Sequence, residues 1–431
     1  MDHYDCLIVG SGHGGSQAAI ALRQHKFSGT IGLLGDEKEL PYERPPLSKE
    51  YLAGEKPFER ILIGSPEVWR SRNVTLLPGH RVEAIGSDAH VVVCDDGASF
   101  SYTHLIWAGG GTPRTLDCAG RDLKGVYSIR TRADIDEIAR ALPAVRRITV
   151  VGGGYIGLEA AAVLTKLGKQ VTVLEAMDRV LARVAGEALS RFLEAEHRAH
   201  GVQICLGACV ESVQGKDGVV TGVRLSDGGM IDAEMVIVGI GIVPSIGPLI
   251  AAGAAGDNGV DVDEFCRTSL PDIFAIGDCA RHPSRFADGA PIRLESVQNA
   301  TDQAMVVAKV IAGRAEPYAS VPWFWSNQYD IRLQTVGLSR GHDQAIVRGD
   351  RATRKFSIVY LRNGRVLALD CVNATKDYVE GRALVAGRLS PPVHQLADAT
   401  VPLKLLASGT NPDAAPRRLS TSADMPPAQA C

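Results

Sequence analysis

The sequence lacks the cysteine spacings that would define a disulfide-stabilised secreted protein or a zinc-binding domain. Its nine cysteines are scattered over 431 residues, and no two of them are spaced as Cys-x-x-Cys. No disulfide framework or metal site is therefore indicated, and the thiols fit the reducing environment of the cytoplasm. We expect Cys205 and Cys209 to be core residues rather than a redox pair.

The chain also has little net charge and no segment typical of export or membrane insertion. A formal charge of −3 gives no overall bias toward nucleic acid. The acidic start MDHYDC runs directly into an apolar stretch, which argues against a signal peptide. Residues 235–256 are uncharged but contain prolines and many glycines, so we interpret their first half as a buried strand. These features predict a cytoplasmic protein with no nucleic-acid or membrane partner.

Glycine, by contrast, is abundant, and it is concentrated in a turn between two short apolar runs near the N-terminus. Such a turn lets the backbone approach a pyrophosphate, and the following helix offers free N–H groups to the same anion. An acid that ends the second run would accept hydrogen bonds from a ribose. The spacing predicts a dinucleotide cradle, and a glycine-rich turn in an ordinary α/β fold is the alternative. The predicted cradle consists of the apolar runs 6–9 and 31–34, the helical stretch 16–23, Gly10, Gly12, Gly15 and Asp36.

A second copy of the pattern begins at Ile148 with the segment ITVVGGGYIGLEAAAVLTKLGKQVTVLE. Each copy is followed by apolar strands that flank a hairpin signal, Asp96-Gly97 in the first and Asp227-Gly228 in the second. Duplication of a whole unit predicts that the chain binds two different dinucleotides. The second cradle consists of Gly152, Gly154, Gly157 and the terminal acid Glu175.

The rest of the chain completes an α/β protein with two Rossmann-like dinucleotide-binding domains and a C-terminal α+β domain. A strand predicted at 273–276 ends in Gly277-Asp278, and a helix is predicted from about 298 to 311. Alternating strands with an Asn363-Gly364 hairpin follow, and then two short helical patterns. The predicted divisions are a first dinucleotide-binding domain in two parts (1–112 and 243–321), a second one (113–242), the C-terminal domain (322–408) and a disordered tail (409–431).

Five segments resemble FAD-dependent pyridine-nucleotide reductases, and among them the ferredoxin reductases that serve bacterial haem monooxygenases and ring-hydroxylating dioxygenases. The last segment is the most specific, because disulfide reductases lack it. One departure is Ala108-Gly109-Gly110, where relatives often carry Ala-Thr-Gly. The resemblance extends to about Leu406 and rests on ELPYERPPLSKEYL (39–52), VVGGGYIGLEAA (150–161), IGDCA (276–280), ESVQNA (295–300) and WFWSNQYDIRLQTVGL (323–338).

This resemblance implies non-covalent FAD in the first cradle and NADH in the second. Whether Asp36 or Glu37 binds the FAD ribose stays open at this point. Glu175 would accept hydrogen bonds from the NADH ribose and repel the 2′-phosphate of NADPH, at a cost of about 1–4 kcal/mol. The implied FAD contacts are Gly14, Asp36, Arg44, Lys49, Val82, Ala108, Arg130, Asp278 and Val297, and Tyr155, Ile156 and Gly241 join the second cradle.

The resemblance also supplies three catalytic candidates. In the family, a pair matching Lys49 and Glu159 meets near the flavin, where it would position the rings and stabilise charge. The alternative is an interdomain salt bridge without a chemical role. Trp325 would lie beside the flavin edge near a docked partner, and packing within the C-terminal domain is the alternative for it.

The region PYERPPLSKEYL contains no cysteine, although disulfide reductases carry their redox pair in the corresponding helix. Electrons must therefore leave directly from the flavin. We interpret the chain as an NADH-dependent FAD flavoprotein that reduces a small acidic 2Fe–2S ferredoxin, which supplies an oxygenase. A rubredoxin reductase, an NADH oxidase and an NADH-responsive redox sensor are the alternatives, and we expect a monomer or a weak homodimer.

The predicted C-terminal domain is basic, whereas the rest of the chain is acidic. Residues 322–408 contain 12 Lys and Arg against 7 Asp and Glu, and the remainder contains 34 against 42. Such a domain should steer an acidic ferredoxin toward the face that carries Trp325, although each charge alone is typical of a solvated surface. The residues concerned are Arg332, Arg340, Arg348, Arg351, Arg354, Lys355, Arg362 and Arg365.

Overall fold

The structure, a computed structural model, describes residues 1–408 of the chain. It confirms the predicted fold class, because two sheets built on parallel strands are followed by an antiparallel C-terminal sheet. The disordered tail predicted for 409–431 lies outside the described residues, and the domain boundaries stay a prediction. None of the helices formed by residues 1–408 combines the length and the apolar character needed to cross a bilayer.

The first sheet has seven strands and is built from two separated parts of the chain. Its central strand Asp2–Val9 starts four residues earlier than predicted, because Asp2 pairs with Phe100 of the strand Ser99–Trp107. Ile273–Ala275 adds in parallel to that same strand. The other strands are Ile31–Gly35, Val74–Pro78, Val82–Gly86 and Val91–Cys94, and the helices His13–Gln24 and Val297–Ile311 pack together against the sheet.

The second sheet repeats this plan with five parallel strands. Arg147–Val151 is central, and its last residue pairs with Leu174 and Val238 on the two neighbouring strands. The glycine turn that follows therefore starts at the carboxyl edge of the sheet, as the first one does. The other elements are the strands Gln203–Leu206, Gln170–Glu175, Met235–Val238 and Val126–Ser128, the meander Val210–Lys216, Val219–Leu225 and Met230–Asp232, and the helices Arg132–Ala141, Tyr155–Lys166 and Glu187–Ala199.

The C-terminal part is a five-stranded antiparallel sheet covered by helices. The predicted hairpin is confirmed, since Asn363 and Gly364 have positive φ angles of 50° and 73°, as a type I′ turn requires. Up to residue 408, where the described part of the chain ends, three helices follow where two were predicted, because the five-residue helix Val393–Ala397 has no clear sequence pattern. In sheet order the strands are Trp323–Gln328, Ile331–Gly337, Arg365–Val372, Lys355–Arg362 and Gln344–Asp350, and the helices are Thr375–Gly387, Val393–Ala397 and Leu403–Ala407.

One apolar cluster joins the three parts into a single body. It contains Leu47 from the first part, Leu158 and Leu189 from the second, and Phe356 from the C-terminal sheet, all nearly inaccessible to water. Short elements complete the connections. They are the helices Pro66–Ser71 and Gly247–Ala251, the 3-10 turns Pro45–Ser48, Phe58–Arg60, Leu142–Ala144, Gly277–Cys279, Arg285–Ala287 and Arg351–Thr353, and the strands Gly111–Pro113, Ile242–Pro244, Gly256–Asp257, Gly259–Asp261, Ala280–Pro283 and Pro291–Arg293.

Candidate functional site

A large cavity passes along both glycine turns and ends against the C-terminal sheet. Its volume is about 1540 Å³. Pockets for single drug-sized ligands usually measure about 300–1,000 Å³, so this cavity has room for two extended ligands. The first glycine turn, the second glycine turn and the strand Trp323–Gln328 all contribute to its wall.

The glycines of the first turn serve two different purposes. Gly10 has a φ of +106°, and a Cβ there would lie 2.3 Å from the Ala108 carbonyl oxygen. A Cβ on Gly15 would lie 1.9 Å from the Gly10 oxygen, so this glycine permits the helix to pack on the strand. A Cβ on Gly12 would meet no atom within 4 Å, because this position faces the open cavity. The free space at Gly12 is where a pyrophosphate fits.

The second turn has the same construction. Gly152 has a φ of +109°, and its Cβ would lie 2.4 Å from the Gly239 oxygen. A Cβ on Gly157 would lie 2.2 Å from the Gly152 oxygen, whereas the nearest atom to one on Gly154 would be 3.9 Å away. Gly15 and Gly157 therefore support the two turns from behind and do not line the cavity.

The structure separates the roles of the two acids that follow the strand Ile31–Gly35. Both oxygens of Glu37 are engaged, because Tyr42 Oη and Arg44 Nη2 each donate to it at 2.5 Å. Asp36 is exposed and lines the cavity. Asp36 is consequently the acid that is available to a ribose.

A group of ionisable side chains surrounds the middle of the cavity. Arg130 lies 3.6 Å from Asp278, whose pKa is raised by burial although the arginine opposes that shift. Arg44 donates to the Arg130 carbonyl at 2.7 Å. Burial and these two arginines lower the pKa of His13 to about 4, so the imidazole is neutral at neutral pH.

The helix Val297–Ile311 begins at the same cavity. Ser296 caps it by accepting from the Asn299 N–H at 3.1 Å, and Val297 lines the cavity wall. A helix N-terminus carries partial positive charge, which stabilises an anion placed before it. The observed start is one residue before the predicted one.

Glu175 is held rigidly beside the second turn. Its carboxylate accepts from the Gly153 N–H at 2.8 Å and from the Met177 N–H at 2.9 Å, and it lines the cavity. Tyr155, the first residue of the helix after the turn, packs against Phe324 of the C-terminal sheet with ring centroids 4.6 Å apart. The second cradle therefore contacts the C-terminal domain directly.

Lys49 and Glu159 meet between the two cradles, as the resemblance implies. The Lys49 ammonium lies 2.5 Å from Glu159 Oε2, and the two side chains are only 12% and 4% exposed. The Ser48 hydroxyl donates to the same oxygen at 2.7 Å, and the Ser326 hydroxyl donates to Oε1 at 2.6 Å. A buried ion pair of this kind is stable only when further hydrogen bonds satisfy it, and here the two serines do so.

Trp323 and Trp325 both line the cavity from the first strand of the C-terminal sheet. Their rings are partly buried and lie 5.5 Å apart. From the same sheet, Asp370 reaches the cavity wall and accepts from the Tyr360 hydroxyl at 2.6 Å. Burial raises the pKa of Asp370 to about 6.

Most of the site residues proposed from sequence line this one cavity. Val82 does not, because its side chain is buried in the core of the first sheet. The cavity wall includes Gly10, Gly12, Gly14, Asp36, Arg44, Lys49, Ala108, Arg130, Asp278 and Val297 around the first cradle, and Gly152, Gly154, Tyr155, Ile156, Glu159, Glu175, Gly241 and Trp325 around the second.

The expectation for the cysteines is partly wrong. Cys205 is half-buried on the strand Gln203–Leu206, but Cys209 is exposed and lines the cavity, since it lies in the loop beyond that strand. All eight cysteines among residues 1–408 are free thiols.

Sequence reasoning missed several polar groups at the junction. Ser48 precedes Lys49, and its role was hidden because a serine in a proline-rich turn is typically a turn residue. Ser326 follows Trp325 in the segment WFWSNQYDIRLQTVGL, and attention to the tryptophan left the serine unnoticed. The only signal for it was the alternation of a strand, which places Phe324, Ser326 and Gln328 on one face.

The residues around the first turn fit FAD, and those around the second fit a pyridine nucleotide. Each cradle has an open position at its middle glycine, Gly12 or Gly154, and a cavity-lining acid, Asp36 or Glu175. Residues 4–304 match the family described as pyridine nucleotide-disulphide oxidoreductase, and residues 323–407 match the one described as reductase C-terminal. The chain belongs to the pyridine nucleotide-disulphide oxidoreductase family and is an oxidoreductase that uses FAD and NAD(P)H.

Within that family the chain is a ferredoxin reductase. It is 60% identical to the ferredoxin reductase subunit of a 5,5′-dehydrodivanillate O-demethylase from a Sphingobium species, over 95% of this chain and 99% of that protein. The solved ferredoxin reductase for the CYP199A2 system of Rhodopseudomonas palustris superposes with a TM-score of 0.91 at 37% identity, covering 94% and 100%. A covalent putidaredoxin reductase–putidaredoxin complex gives a TM-score of 0.91 at 39% identity, covering 95% and 99%.

Proposed function

We propose that the chain is an NADH-preferring reductase of an acidic 2Fe–2S ferredoxin that serves an oxygenase. The observation that carries the proposal is the buried Lys49–Glu159 pair, which lies where the FAD and NADH cradles converge on one cavity. The relatives named above support an oxygenase as the destination of the electrons, since one is the ferredoxin reductase subunit of an O-demethylase and another is the ferredoxin reductase for the CYP199A2 system.

The chemistry that FAD supplies when bound is the acceptance of a hydride from NADH and the release of electrons one at a time. The residues of the chain bind the two nucleotides and orient their rings. We assign the FAD ribose to Asp36, since Asp36 lines the cavity, whereas Glu37 is turned to Tyr42 and Arg44 and is not part of the cavity wall. The N-terminus of the helix Val297–Ile311 would stabilise negative charge on the ring.

Lys49 and Glu159 would hold the two rings in register and keep water out of their contact. The ammonium is fixed by the carboxylate and by the Pro45 carbonyl at 3.2 Å, so its charge stays at one place. A fixed charge in a site of low polarity stabilises developing charge without reorganisation. Glu175 would favour NADH, because its carboxylate repels a 2′-phosphate.

The partner would dock where Trp325 meets the cavity mouth. Arg340 is exposed and lines the same cavity as Trp325. Part of the basic charge expected to steer the partner is committed elsewhere, since Arg354 pairs with Glu196 and Asp330 and Arg362 pairs with Asp288. For Arg348 the expectation is wrong, because this side chain is 2% exposed and bonded to Asp377 and backbone carbonyls.

We further propose a cytoplasmic monomer or weak homodimer. Free, largely buried thiols throughout residues 1–408 support a reducing compartment.

The test is flavin reduction by NADH in Glu159→Gln, followed by anaerobic stopped-flow absorbance. We expect FAD content to be unchanged and the rate of reduction to fall about tenfold or more, with altered charge-transfer absorbance. An unchanged rate and unchanged absorbance would mean that the Lys49–Glu159 pair is only a structural salt bridge.

Steady-state turnover with an acidic 2Fe–2S ferredoxin, a rubredoxin or oxygen alone decides among the possible electron acceptors. A slow-turning, long-lived reduced complex with every acceptor would favour a redox sensor.

A further inference from the structure

A line of hydrogen bonds runs from Glu159 through the first strand of the C-terminal sheet to the helix Glu187–Ala199 of the second domain. The Ser326 hydroxyl donates to Glu159 Oε1 at 2.6 Å, and Gln328 Nε2 donates to Ser326 Oγ at 3.1 Å. His197 Nε2 lies 2.8 Å from Gln328 Oε1, and the Tyr329 hydroxyl lies 3.0 Å from His197 Nδ1. Apart from Tyr329, every member is at most 3% exposed.

The direction of this chain follows from its first member. An ionised carboxylate only accepts, so the single Ser326 proton goes to Glu159 and the serine oxygen is left to accept. Gln328 must then turn its NH₂ group toward Ser326 and its carbonyl toward His197. The imidazole therefore carries its proton on Nε2 and accepts the Tyr329 proton on Nδ1. Burial lowers the pKa of His197 to about 4, which keeps the ring neutral at neutral pH.

The chain is not suited to carry protons. A glutamine amide in the middle passes a proton only by changing to its less stable imidic acid form, which reverses the direction of both of its hydrogen bonds. What the arrangement does provide is a set of dipoles that all point their positive ends toward Glu159. Hydrogen bonds arranged in this way strengthen one another, and bonds to an ionised group are about twice as strong as neutral ones.

We infer that Ser326, Gln328 and His197 are positioning residues that hold the Glu159 carboxylate in place and directed at Lys49. The inference rests on the proposed role of the Lys49–Glu159 pair. It gives the C-terminal domain a part in hydride transfer in addition to partner docking. It also links the helix Glu187–Ala199, which carries His197, to the ring junction.

Matched serine variants test the inference. Ser326→Ala removes the donor to Glu159, whereas Ser326→Thr retains a hydroxyl. Ser357→Ala is the control, because Ser357 is equally buried in the same sheet and donates to the carboxylate of Asp377 at 2.9 Å. In FAD-loaded protein, we expect flavin reduction at saturating NADH to slow about tenfold in Ser326→Ala and to stay within twofold in the other two. The NADH concentration for half-maximal rate should change little, and the charge-transfer absorbance should change only in Ser326→Ala.

A polarity variant tests the outer members. Gln328→Glu keeps the shape of the side chain but offers Ser326 an acceptor, which diverts its proton from Glu159. We expect this variant to be at least as slow as Ser326→Ala. A rate equal to that of the unmodified protein would remove Gln328 and His197 from the inference.

The outcomes separate this inference from the proposed function. If Glu159→Gln is without effect, the proposed role of the pair fails. If Glu159→Gln is slow but Ser326→Ala reacts like Ser357→Ala, only the inference fails. If Ser326→Thr is as slow as Ser326→Ala with full FAD content, packing and not the hydroxyl is responsible, and the inference is overturned as well.

Discussion

At the scale of single residues, the sequence predicted the type of contact at a site better than it predicted which of several neighbouring residues makes that contact. Asp36 and Glu37 are adjacent acids of similar chemistry, and only the positions of Tyr42 and Arg44 show that Glu37 is already occupied. Lys49 and Glu159 were paired by resemblance across 110 positions, a distance that no local pattern covers. Cys209 was misjudged because a strand ended sooner than its apolar residues suggested.

Glu175 should decide between the two pyridine nucleotides. We expect the unmodified protein to use NADH at least about tenfold more efficiently than NADPH, and Glu175→Ala to narrow that ratio. Because the carboxylate also holds the Gly153 and Met177 N–H groups, the alanine should cost NADH affinity too. Glu175→Gln keeps an acceptor for the loop and is the matched variant. Steady-state kcat/KM for both nucleotides checks this, and equal values in the unmodified protein would contradict it.

At the scale of elements, strands and glycine turns were predicted well because they repeat a strong pattern of apolar runs and glycines. Their ends were predicted less well, since the start of Asp2–Val9 depends on a partner strand almost 100 residues away. The short helix Val393–Ala397 has too few residues for a helical pattern to stand out. Its position is fixed by packing on the sheet, which local sequence does not encode.

The glycines of the first turn should respond to alanine in opposite ways. Gly12 has a φ of −75° and free space at its Cβ position, so Gly12→Ala should fold but bind FAD weakly. Gly15→Ala would place a methyl group 1.9 Å from a backbone oxygen. This variant should fail to fold, or its Tm should fall by several degrees. Circular dichroism of the FAD-free proteins and flavin content after purification distinguish the two. Tight FAD binding by Gly12→Ala would refute the assigned cradle.

Asp370 should make the C-terminal sheet less stable at neutral pH than at mildly acidic pH. Its pKa of about 6 in the folded protein lies above the usual value near 4, so the folded state holds this proton more tightly. The associated stability is fully present below about pH 4 and is lost as pH rises through about 6, a change of about 3 kcal/mol. Asp370→Asn keeps an acceptor for the Tyr360 hydroxyl and should raise the Tm at pH 8 but not at pH 4. A lower Tm of Asp370→Asn than of the unmodified protein at pH 8 would mean that other groups in the folded protein compensate the charge of Asp370.

At the scale of the whole molecule, the net charge of the C-terminal domain was read correctly from sequence, but its distribution was not. Arg348 is buried, and Arg354 and Arg362 are paired with acids of other segments. Composition counts charges without showing which of them face solvent. The remaining exposed charges lie at both ends of the C-terminal sheet.

Two of these charges should differ in their effect on ferredoxin reduction. Arg340 precedes the strand Gln344–Asp350 on the cavity side, and Arg351 follows it at the other end. At limiting ferredoxin, Arg340→Glu should slow reduction several-fold, whereas Arg351→Glu should have a smaller effect. The rate in the unmodified protein should fall as salt shortens the Debye length from about 30 to about 10 Å. Reduction of a neutral quinone is the control, and equal salt responses would exclude steering.

The late strand Ile273–Ala275 also sets an order of events during synthesis. Its partner, Ser99–Trp107, leaves the ribosome about 170 residues earlier. Until Ile273–Ala275 is made, the carboxyl half of Ser99–Trp107 therefore has no hydrogen-bonding partner strand on that edge. The second domain, whose five strands lie between Val126 and Val238, can fold meanwhile. We therefore expect nascent chains that have left the ribosome up to about residue 260 to resist protease in the second domain but not in the first. Equal protection of both would show that the first sheet closes without its last strand.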